Sequence, residues 1–267
     1  MISLSKLMSL KGRRALITGA NGHIGRIIAL TLAELNSDLI LVDRPGSDYK
    51  KLIDEIAINF NVDVQTYDCD LGYENDRKNL ISFLIKKGIS LNILVNNAAF
   101  IGTSKLDGWV ADFDQQSIET WRKALEVNLT SVFSLVQGLS PILKKNKGAS
   151  VINIGSTYGV WGPDHRLYEG TSMGNPAAYA ASKGGLTQLT RWLATTLASN
   201  VRVNTLSPGG VFRNQPEIFV KKYNARTPLG RMATEDDFRG AIAYLASDLS
   251  SYVTGQNLAV DGGWGIW

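Results

Sequence analysis

Short apolar runs rich in β-branched residues alternate with amphipathic stretches along the whole chain. The apolar runs predict strands at residues 15–18, 39–42, 62–67, 93–96, 151–154, 201–206 and 257–260. The amphipathic stretches predict helices at residues 22–35, 49–59, 74–87, 117–145, 175–198 and 234–246. This alternation favours an α/β fold, a doubly wound parallel sheet of about seven strands with helices on both faces. Ligands of such sheets bind at the carboxyl ends of the strands.

The pattern also bears on domain organisation. The 267 residues contain no linker, repeat or low-complexity tract, so a single domain over residues 1–267 is expected. Hydrophobic residues make up 44% and charged residues 19%, which is typical of a globular chain and not of a disordered one. We expect substrate loops near residues 100–116, 158–175 and 211–226, because these segments follow predicted strands at the carboxyl edge.

Cysteine content, hydropathy and charge exclude several classes of protein. The one cysteine, Cys69, rules out an internal disulfide, and with two histidines in all no metal site is expected. No apolar run reaches the roughly 18 residues of a membrane span, and residues 1–14 lack the apolar centre of a signal peptide. A cytoplasmic protein is therefore expected. The net charge of +4 comes from Lys and Arg spread along the chain, which argues against a nucleic-acid partner and modestly favours an anionic small molecule.

A glycine-rich turn, TGANGHIG at residues 18–25, joins the first predicted strand to the first predicted helix. Its glycines let the backbone approach a pyrophosphate, whose charge the helix N-terminus would meet. The cofactor contacts expected from this turn are Gly19, Asn21, Gly22, His23, Ile24 and Gly25. Asp43 lies 18 residues past Gly25, the spacing of an acidic residue that accepts hydrogen bonds from a dinucleotide ribose. A carboxylate there repels a 2′-phosphate and favours NAD, while Arg44 beside it leaves NADP as an alternative.

Tyr179 and Lys183 stand four residues apart within a predicted helix, which puts both side chains on one face. A phenol has a pKa of about 10, and an ammonium group at close range lowers that pKa by roughly 1–3 units. Tyr179 would then exchange a proton with a substrate near neutral pH, as hydride transfer at a carbonyl requires. Taken alone, such a pair more often marks a lysine that extends past a half-buried tyrosine to solvent.

The order of these motifs resembles the short-chain dehydrogenase/reductase family over nearly the whole chain. The resemblance rests on the glycine turn and on Asp70-Leu71, Asn96-Asn97-Ala98-Ala99, Asn128, Ser156, Tyr179 with Lys183, Ser207-Pro208-Gly209-Gly210, Gly255-Gln256 and Val260-Asp261-Gly262-Gly263. It implies a Rossmann fold, a nicotinamide cofactor and a homotetramer or dimer.

The resemblance also implies roles for individual residues. Tyr179 would be the general acid and base, while Lys183 lowers its pKa and binds the nicotinamide ribose. Ser156 would donate a hydrogen bond to the substrate oxygen, and Asn128 would hold a water that links Lys183 to solvent. Further cofactor contacts are implied for Asp70, Leu71, Asn97, Ala98, Ala99, Pro208, Gly209 and Val211.

Several positions depart from the family pattern. His23 stands where shorter members usually have glycine, and the resulting spacing is typical of sugar-nucleotide epimerases and dehydratases. Ala99 replaces a usual glycine, and Arg213 replaces a threonine that often binds the cofactor. Ser156 lies 23 residues before the predicted catalytic tyrosine, farther than is usual. Tyr168 would suit a shorter spacing, but the residue four positions after it is a serine and not a lysine.

These features predict an NAD(P)-dependent oxidoreductase that interconverts a secondary alcohol and a ketone. The stretch after Asn175 resembles flagellin-modification and surface-sugar enzymes, so a polar sugar-derived or phosphorylated substrate is expected, in carbohydrate metabolism. The expected substrate contacts are Ser156, Tyr158, His165, Arg166 and Arg213. Two alternatives stay open: a sugar-nucleotide epimerase or dehydratase with tightly bound NAD, and a non-catalytic NAD(H)-sensing protein.

Overall fold

One seven-stranded sheet forms the centre of the protein in the computed structural model, which describes residues 1–102 and 104–267. The strands are β1 Arg14–Thr18, β2 Asp38–Asp43, β3 Val64–Asp68, β4 Ile93–Asn96, β5 Ala149–Ile154, β6 Val201–Pro208 and β7 Asn257–Val260. They lie in the order β3-β2-β1-β4-β5-β6-β7, and every pairing between neighbours is parallel. The predicted doubly wound parallel sheet is confirmed, and each predicted strand overlaps an observed one.

Helices cover both faces of the sheet. They are α1 Leu4–Met8, α2 His23–Glu34, α3 Lys50–Asn59, α4 Glu74–Lys86, α5 Ile118–Leu125, α6 Ser131–Leu143, α7 Ala177–Thr196, α8 Glu217–Arg226 and α9 Arg239–Ala246. A π-helical turn, Glu126–Thr130, separates α5 from α6 within the single helix predicted at 117–145. Helix α8 lies inside the segment 211–226 that the sequence analysis expected to be a loop. Within the described part of the chain, no helix is both long enough and apolar enough to span a bilayer.

Two apolar clusters fill the space between the sheet and the helices. Neighbouring side chains of β1 point to opposite faces, so Leu16 joins the cluster under α4, α6 and α7, while Ile17 joins the cluster under α2, α3 and α9. Each fully buried Leu or Ile contributes roughly 1.5–3 kcal/mol to folding. Because both faces are covered, central strands such as β2 and β4 read as nearly continuous apolar runs, and this is why the sequence located them.

The strand order reverses between β1 and β4, which are neighbours in the sheet although two strands separate them along the chain. The connections that leave these two strands diverge to opposite faces and open a crevice at the carboxyl edge. The segments that follow β1, β4, β5 and β6 all start at this edge. The fold therefore brings the glycine turn, residues 97–99, Ser156 and residues 208–211 to one side of the molecule.

Candidate active site

Tyr179 and Lys183 lie on one face of α7, near the start of that helix. The Lys183 ammonium nitrogen is 5.8 Å from the centre of the Tyr179 ring, and Lys183 is only 3% exposed. Its Nζ donates a hydrogen bond of 2.7 Å to the main-chain carbonyl of Ile154, the last residue of β5. This bond fixes the lysine against the carboxyl edge of the sheet, with the tyrosine ring beside it.

Burial changes the proton affinity of both side chains. Loss of hydration lowers the pKa of Lys183 to about 8. The same cause raises the pKa of Tyr179, and the nearby Ser156 hydroxyl opposes that rise. The net lowering of the tyrosine pKa that the sequence analysis expected is therefore not found in this arrangement, because desolvation of the phenolate outweighs the opposing contributions. Tyr179 stays protonated at neutral pH and is ready to donate its proton.

Ser156 follows β5 and precedes a 3-10 turn, Thr157–Gly159. Its buried hydroxyl oxygen accepts a hydrogen bond of 3.1 Å from the Tyr158 amide. The turn packs tightly on α7, since a Cβ added to its last residue would lie 2.7 Å from the Lys183 carbonyl oxygen. This packing places Ser156 and Tyr158 next to Tyr179, so the long separation in sequence does not separate the two hydroxyl groups.

Asn128 lies in the π-helical turn and uses its whole side-chain amide to hold two other segments. Its Oδ1 accepts from the Phe100 amide at 2.8 Å, and its Nδ2 donates to the Phe100 carbonyl at 3.1 Å and to the Ser182 hydroxyl at 3.0 Å. The Ser182 hydroxyl in turn donates to the Tyr179 carbonyl at 2.8 Å. The Asn128 side chain thus positions the start of α7, and π-helical turns often occur at functional sites. The water implied by the family resemblance stays a prediction.

The glycine turn has close approaches that no side chain could occupy. Gly19 has a φ of +62°, and a Cβ there would lie 2.9 Å from the Ala98 Cα. A Cβ on Gly25 would lie 2.1 Å from the Gly19 carbonyl oxygen. Asn97 stabilises the turn, because its Nδ2 donates to the Gly19 carbonyl at 2.9 Å. Helix α2 begins at His23, so the amides of its first turn lack partners inside the helix and are free to meet a phosphate.

The other predicted contacts of this part lie close by. Gly22 is the residue before α2, and Ile24 packs against the apolar cluster beneath that helix. Asp43 ends β2, and two main-chain amides hold its carboxylate: Oδ2 accepts from Asn21 at 2.9 Å, and Oδ1 accepts from Arg44 at 2.8 Å. The carboxylate is therefore anchored beside the glycine turn, and its contact with a ribose stays a prediction. Ala99 lies in the loop after β4.

Asp70 and Leu71 follow β3, and a buried arginine that the sequence analysis missed holds the Leu71 carbonyl. The Asp70 carboxylate accepts from the Gly72 amide at 2.9 Å, and the Leu71 carbonyl accepts from Arg77 at 2.5 Å. Arg77 also pairs with Glu126 at 2.7 Å, in the π-helical turn. A buried guanidinium thus joins the loop after β3 to the segment that carries Asn128. No local signal marked Arg77, because its partner lies far along the chain.

Pro208 ends β6 at the same edge of the sheet, and Gly209 follows it. The Gly209 amide donates to the Val260 carbonyl at 2.9 Å, which explains why the two glycine-containing motifs near residues 209 and 262 occur together. The amide of Gly210 donates to the hydroxyl of Tyr223, on α8, at 2.5 Å. Sequence reasoning missed this tyrosine. The apolar side chains in 217–226 recur at helical spacing, and the proline before them is of a kind that often begins a helix. That pattern could have predicted α8 and with it the position of Tyr223.

Arg213 and His23 meet at one carboxylate. The Arg213 Nε is 3.1 Å from Glu235 Oε1, and the His23 Nδ1 is 3.9 Å from the same oxygen. Val211, two residues before the arginine, forms a parallel bridge with Ala233. Arg213 is therefore held beside the glycine turn with an anionic partner already in place.

His165 and Arg166 lie elsewhere, in an exposed 3-10 turn, His165–Leu167. The Arg166 guanidinium makes two hydrogen bonds of 2.8 Å to Asp164, and its side chain is 79% exposed. The role of His165, Arg166 and Arg213 in selecting an acidic or phosphorylated substrate stays a prediction, and the structure does not bring the three together. They sit on two separate segments, and both arginines already pair with carboxylates.

Segment 158–175, which the sequence analysis expected to be a substrate loop, packs through aromatic side chains against α8 and the C-terminal segment. We call this the aromatic cluster; its members are Tyr158, Trp161, Leu167, Tyr168, Met173, Phe219, Val220, Tyr223, Met232 and Trp264. The Tyr168 hydroxyl donates to the Tyr158 hydroxyl at 2.8 Å. Burial raises the pKa of Tyr168 to about 12, and Tyr168 bonds to a second phenol and not to a lysine. These contacts agree with the choice of Tyr179 over Tyr168 as the proton donor.

The crevice fits a nicotinamide dinucleotide. The glycine turn leaves a space that a single Cβ would fill, and the first amides of α2 point out of the helix, as a pyrophosphate requires. The anchored Asp43 carboxylate lies along the same edge of the sheet, as a ribose requires. The Tyr179 and Lys183 pair stands farther along the same edge, after β5. The arrangement therefore supplies both a dinucleotide cradle and a proton donor.

Comparisons with known proteins agree with this geometry. A family model described as enoyl-(acyl carrier protein) reductase matches residues 19–265. The sorbose reductase of Candida albicans is 33% identical over 97% of this chain and 89% of its own length. Post-translational flagellin modification protein A of Campylobacter coli is 30% identical over 96% of this chain and its full length.

A solved short-chain dehydrogenase from Leptospira borgpetersenii, with bound NAD⁺, has a TM-score of 0.84 and 31% identity, covering 99% of this chain and 96% of its own. The resemblance inferred from the motifs is confirmed by these matches. Because they extend over almost the whole chain, the protein belongs to the short-chain dehydrogenase/reductase family and is an NAD(P)-dependent oxidoreductase.

Proposed function

We propose that the protein is an NAD-dependent dehydrogenase/reductase acting on a secondary alcohol, or its ketone, in a sugar-derived compound. The observation that carries the proposal is the Lys183 ammonium 5.8 Å from the Tyr179 ring, on a helix packed against Ser156. A bound nicotinamide supplies or accepts the hydride in such a reaction. The side chains of this chain have to orient the substrate oxygen and move one proton.

Tyr179 performs the proton transfer. In reduction its phenol donates the proton to the substrate oxygen, which becomes a hydroxyl. Lys183, with a pKa of about 8, stays largely charged at neutral pH and stabilises the phenolate that remains. Ser156 holds the substrate oxygen with its hydroxyl. In oxidation the same groups act in the opposite order.

The dinucleotide would lie across the glycine turn. The first amides of α2 would meet the pyrophosphate, Asp43 the adenosine ribose, Asp70 the adenine and Val211 the nicotinamide amide. Similar solved structures hold NAD⁺ in one case and NADP in another, so the choice of NAD rests on Asp43. Two amides hold its carboxylate beside the glycine turn, where it would accept from the adenosine ribose and repel a 2′-phosphate.

The choice of a sugar-derived substrate rests on the similarity to a sorbose reductase and on the polar groups at the site. Ser156 and Tyr158 bring two hydroxyl groups next to Tyr179. We further propose a homo-oligomer, a dimer or a tetramer, because Ile118, Phe133 and Trp192 leave exposed apolar surface on α5, α6 and α7.

The proposal is tested by following NADH absorbance with added NAD and a panel of alcohols. The panel contains D-sorbitol, xylitol, meso-butane-2,3-diol, cis-cyclohexane-1,2-diol, butan-2-ol and cyclohexanol. We expect NADH to accumulate with at least one polyol, and to do so in proportion to the alcohol consumed. NAD binding without NADH formation on the whole panel would overturn the proposal in favour of a sensor. Turnover of a sugar nucleotide without net use of added NAD would favour the epimerase alternative.

A further inference from the structure

We propose that Tyr158 and Tyr168 form a phenol pair that binds a second oxygen of the substrate, next to the reacting carbon. The enzyme would then select vicinal diols and α-hydroxyketones over alcohols and ketones with a single oxygen. This inference rests on the proposed function, since it names the substrate class of the same site.

The hydrogen bond between the two phenols leaves one hydrogen unused. The Tyr168 hydroxyl donates to the Tyr158 oxygen at 2.8 Å, so the Tyr158 hydroxyl has to direct its own hydrogen elsewhere. Residues 1–102 and 104–267 provide no acceptor for it. A hydroxyl that accepts one hydrogen bond becomes a stronger donor of another. The Tyr158 hydroxyl is therefore ready to donate to an acceptor that the described residues do not supply, such as an oxygen of a bound substrate.

Tyr158 is placed where a bound substrate would meet it. It lies two residues after Ser156, its amide donates to the Ser156 hydroxyl at 3.1 Å, and its turn packs on the Lys183 carbonyl. Burial raises the pKa of Tyr158, and a negative charge on Tyr179 would raise it further. Tyr158 thus remains a neutral donor throughout turnover, and it does not compete with Tyr179 for the role of proton carrier.

Aromatic packing holds the two phenols in place. The Tyr158 ring meets the Trp264 ring edge to face at 5.5 Å, and the Tyr168 ring lies 5.5 Å from that of Phe219. In such apolar surroundings an unpaired hydroxyl is unfavourable, so a substrate without a second oxygen would leave the Tyr158 donor unsatisfied. A site built to hydrogen-bond a hydroxyl discriminates strongly against the analogue that lacks it.

The test compares two matched pairs of alcohols with NAD: meso-butane-2,3-diol with butan-2-ol, and cis-cyclohexane-1,2-diol with cyclohexanol. The wild-type protein should show the higher kcat/KM for each diol. Tyr158→Phe should lower kcat/KM for the diols by about 5- to 150-fold, with little change for the single alcohols. Tyr168→Phe should cause a smaller loss in the same direction, because it removes only the group that polarises Tyr158.

Tyr252→Phe is the matched control, because Tyr252 is fully exposed, and it should change neither pair. Thermal unfolding and NAD binding of each variant identify any loss that comes from misfolding. If Tyr158→Phe misfolds, the kcat/KM values of Tyr168→Phe for the diols and the single alcohols test the proposal instead. Equal losses for diols and single alcohols, or a wild-type preference for the single alcohols, would overturn the phenol-pair proposal while leaving the proposed function intact. No NADH from any alcohol with NAD bound would instead remove the proposed function, and this inference with it.

Discussion

The cofactor side and the substrate side of the crevice are built by different means. On the cofactor side, main-chain geometry decides: Gly19 and Gly25 leave no room for a Cβ, and amides hold Asp43. On the substrate side, aromatic side chains from segment 158–175, α8 and the C-terminal segment pack into one cluster. Backbone constraints tolerate almost no substitution, whereas side-chain packing accepts other residues of similar volume. Substrate selectivity is therefore free to change within this fold while the dinucleotide cradle stays the same.

The largest effect is expected on the cofactor side. In Gly25→Ala the new Cβ would lie 2.1 Å from a main-chain oxygen of the glycine turn, so the turn has to move. We expect the free energy of unfolding to fall by about 3 kcal/mol or more and NAD binding to be lost, measured by urea denaturation and NAD titration. Gly240→Ala is the matched helical control, because nothing lies within 4 Å of its added Cβ. That control should gain about 0.5–1 kcal/mol; similar losses in both variants would contradict the comparison.

A second change tests the anchored carboxylate. Asp43→Ala removes the negative charge that faces the expected 2′-phosphate position, so the ratio of kcat/KM for NADP to that for NAD should rise by about tenfold or more. The control is Asp48→Ala, because Asp48 is exposed and its carboxylate accepts from the amide of Lys50 near the start of α3, away from the glycine turn. An unchanged ratio in Asp43→Ala would mean that another group selects the cofactor.

Lys183 lies where the two sides meet, and its buried charge predicts a dependence of stability on pH. Its folded pKa of about 8 is below the ordinary value of 10.5, so between these values the unfolded chain binds more protons and stability rises with pH. The unfolding free energy of wild type minus that of Lys183→Met should be lowest at pH 7 and should increase by roughly 2–3 kcal/mol by pH 10. Urea denaturation of both proteins at each pH measures this difference. A difference that stays constant with pH would show that the lysine is not desolvated.

The smallest effect concerns a hydrogen bond that joins the aromatic cluster to the cofactor side. Tyr223→Phe removes the acceptor of the Gly210 amide, so stability should fall by about 1 kcal/mol, and the Kd for NAD should rise a few-fold. Thermal unfolding and NAD titration measure these changes, with the exposed Tyr73→Phe as the control. If NAD affinity stays unchanged, the two sides are independent of each other.

The same contrast explains what the sequence could predict. Strands 93–96 and 257–260 were predicted with the observed bounds, because each contains a local apolar run, although only the first is fully buried. The glycine turn and the pair of Tyr179 and Lys183 were likewise local patterns with fixed spacing. Local patterns of this kind determine most of the fold and the cofactor side.

Long-range contacts account for what the sequence did not predict. The ion pair that occupies Arg213 and the ion pair of the buried Arg77 depend on partners that only the folded chain brings close. Helix α8 was taken for a loop because its apolar residues make sense only against Trp264 and segment 158–175. The raised pKa of Tyr179 followed from burial, which spacing along a helix does not reveal.

The central claim is that Tyr179 moves the substrate proton while a separate cradle holds the dinucleotide. The most direct test measures NADH formation from the best polyol of the panel by wild type and Tyr179→Phe, with NAD affinity measured on the same samples. We expect kcat to fall by about 10²- to 10⁴-fold, while the Kd for NAD stays close to that of wild type. Near-normal kcat in Tyr179→Phe would contradict the account, because another group would then have to supply the proton.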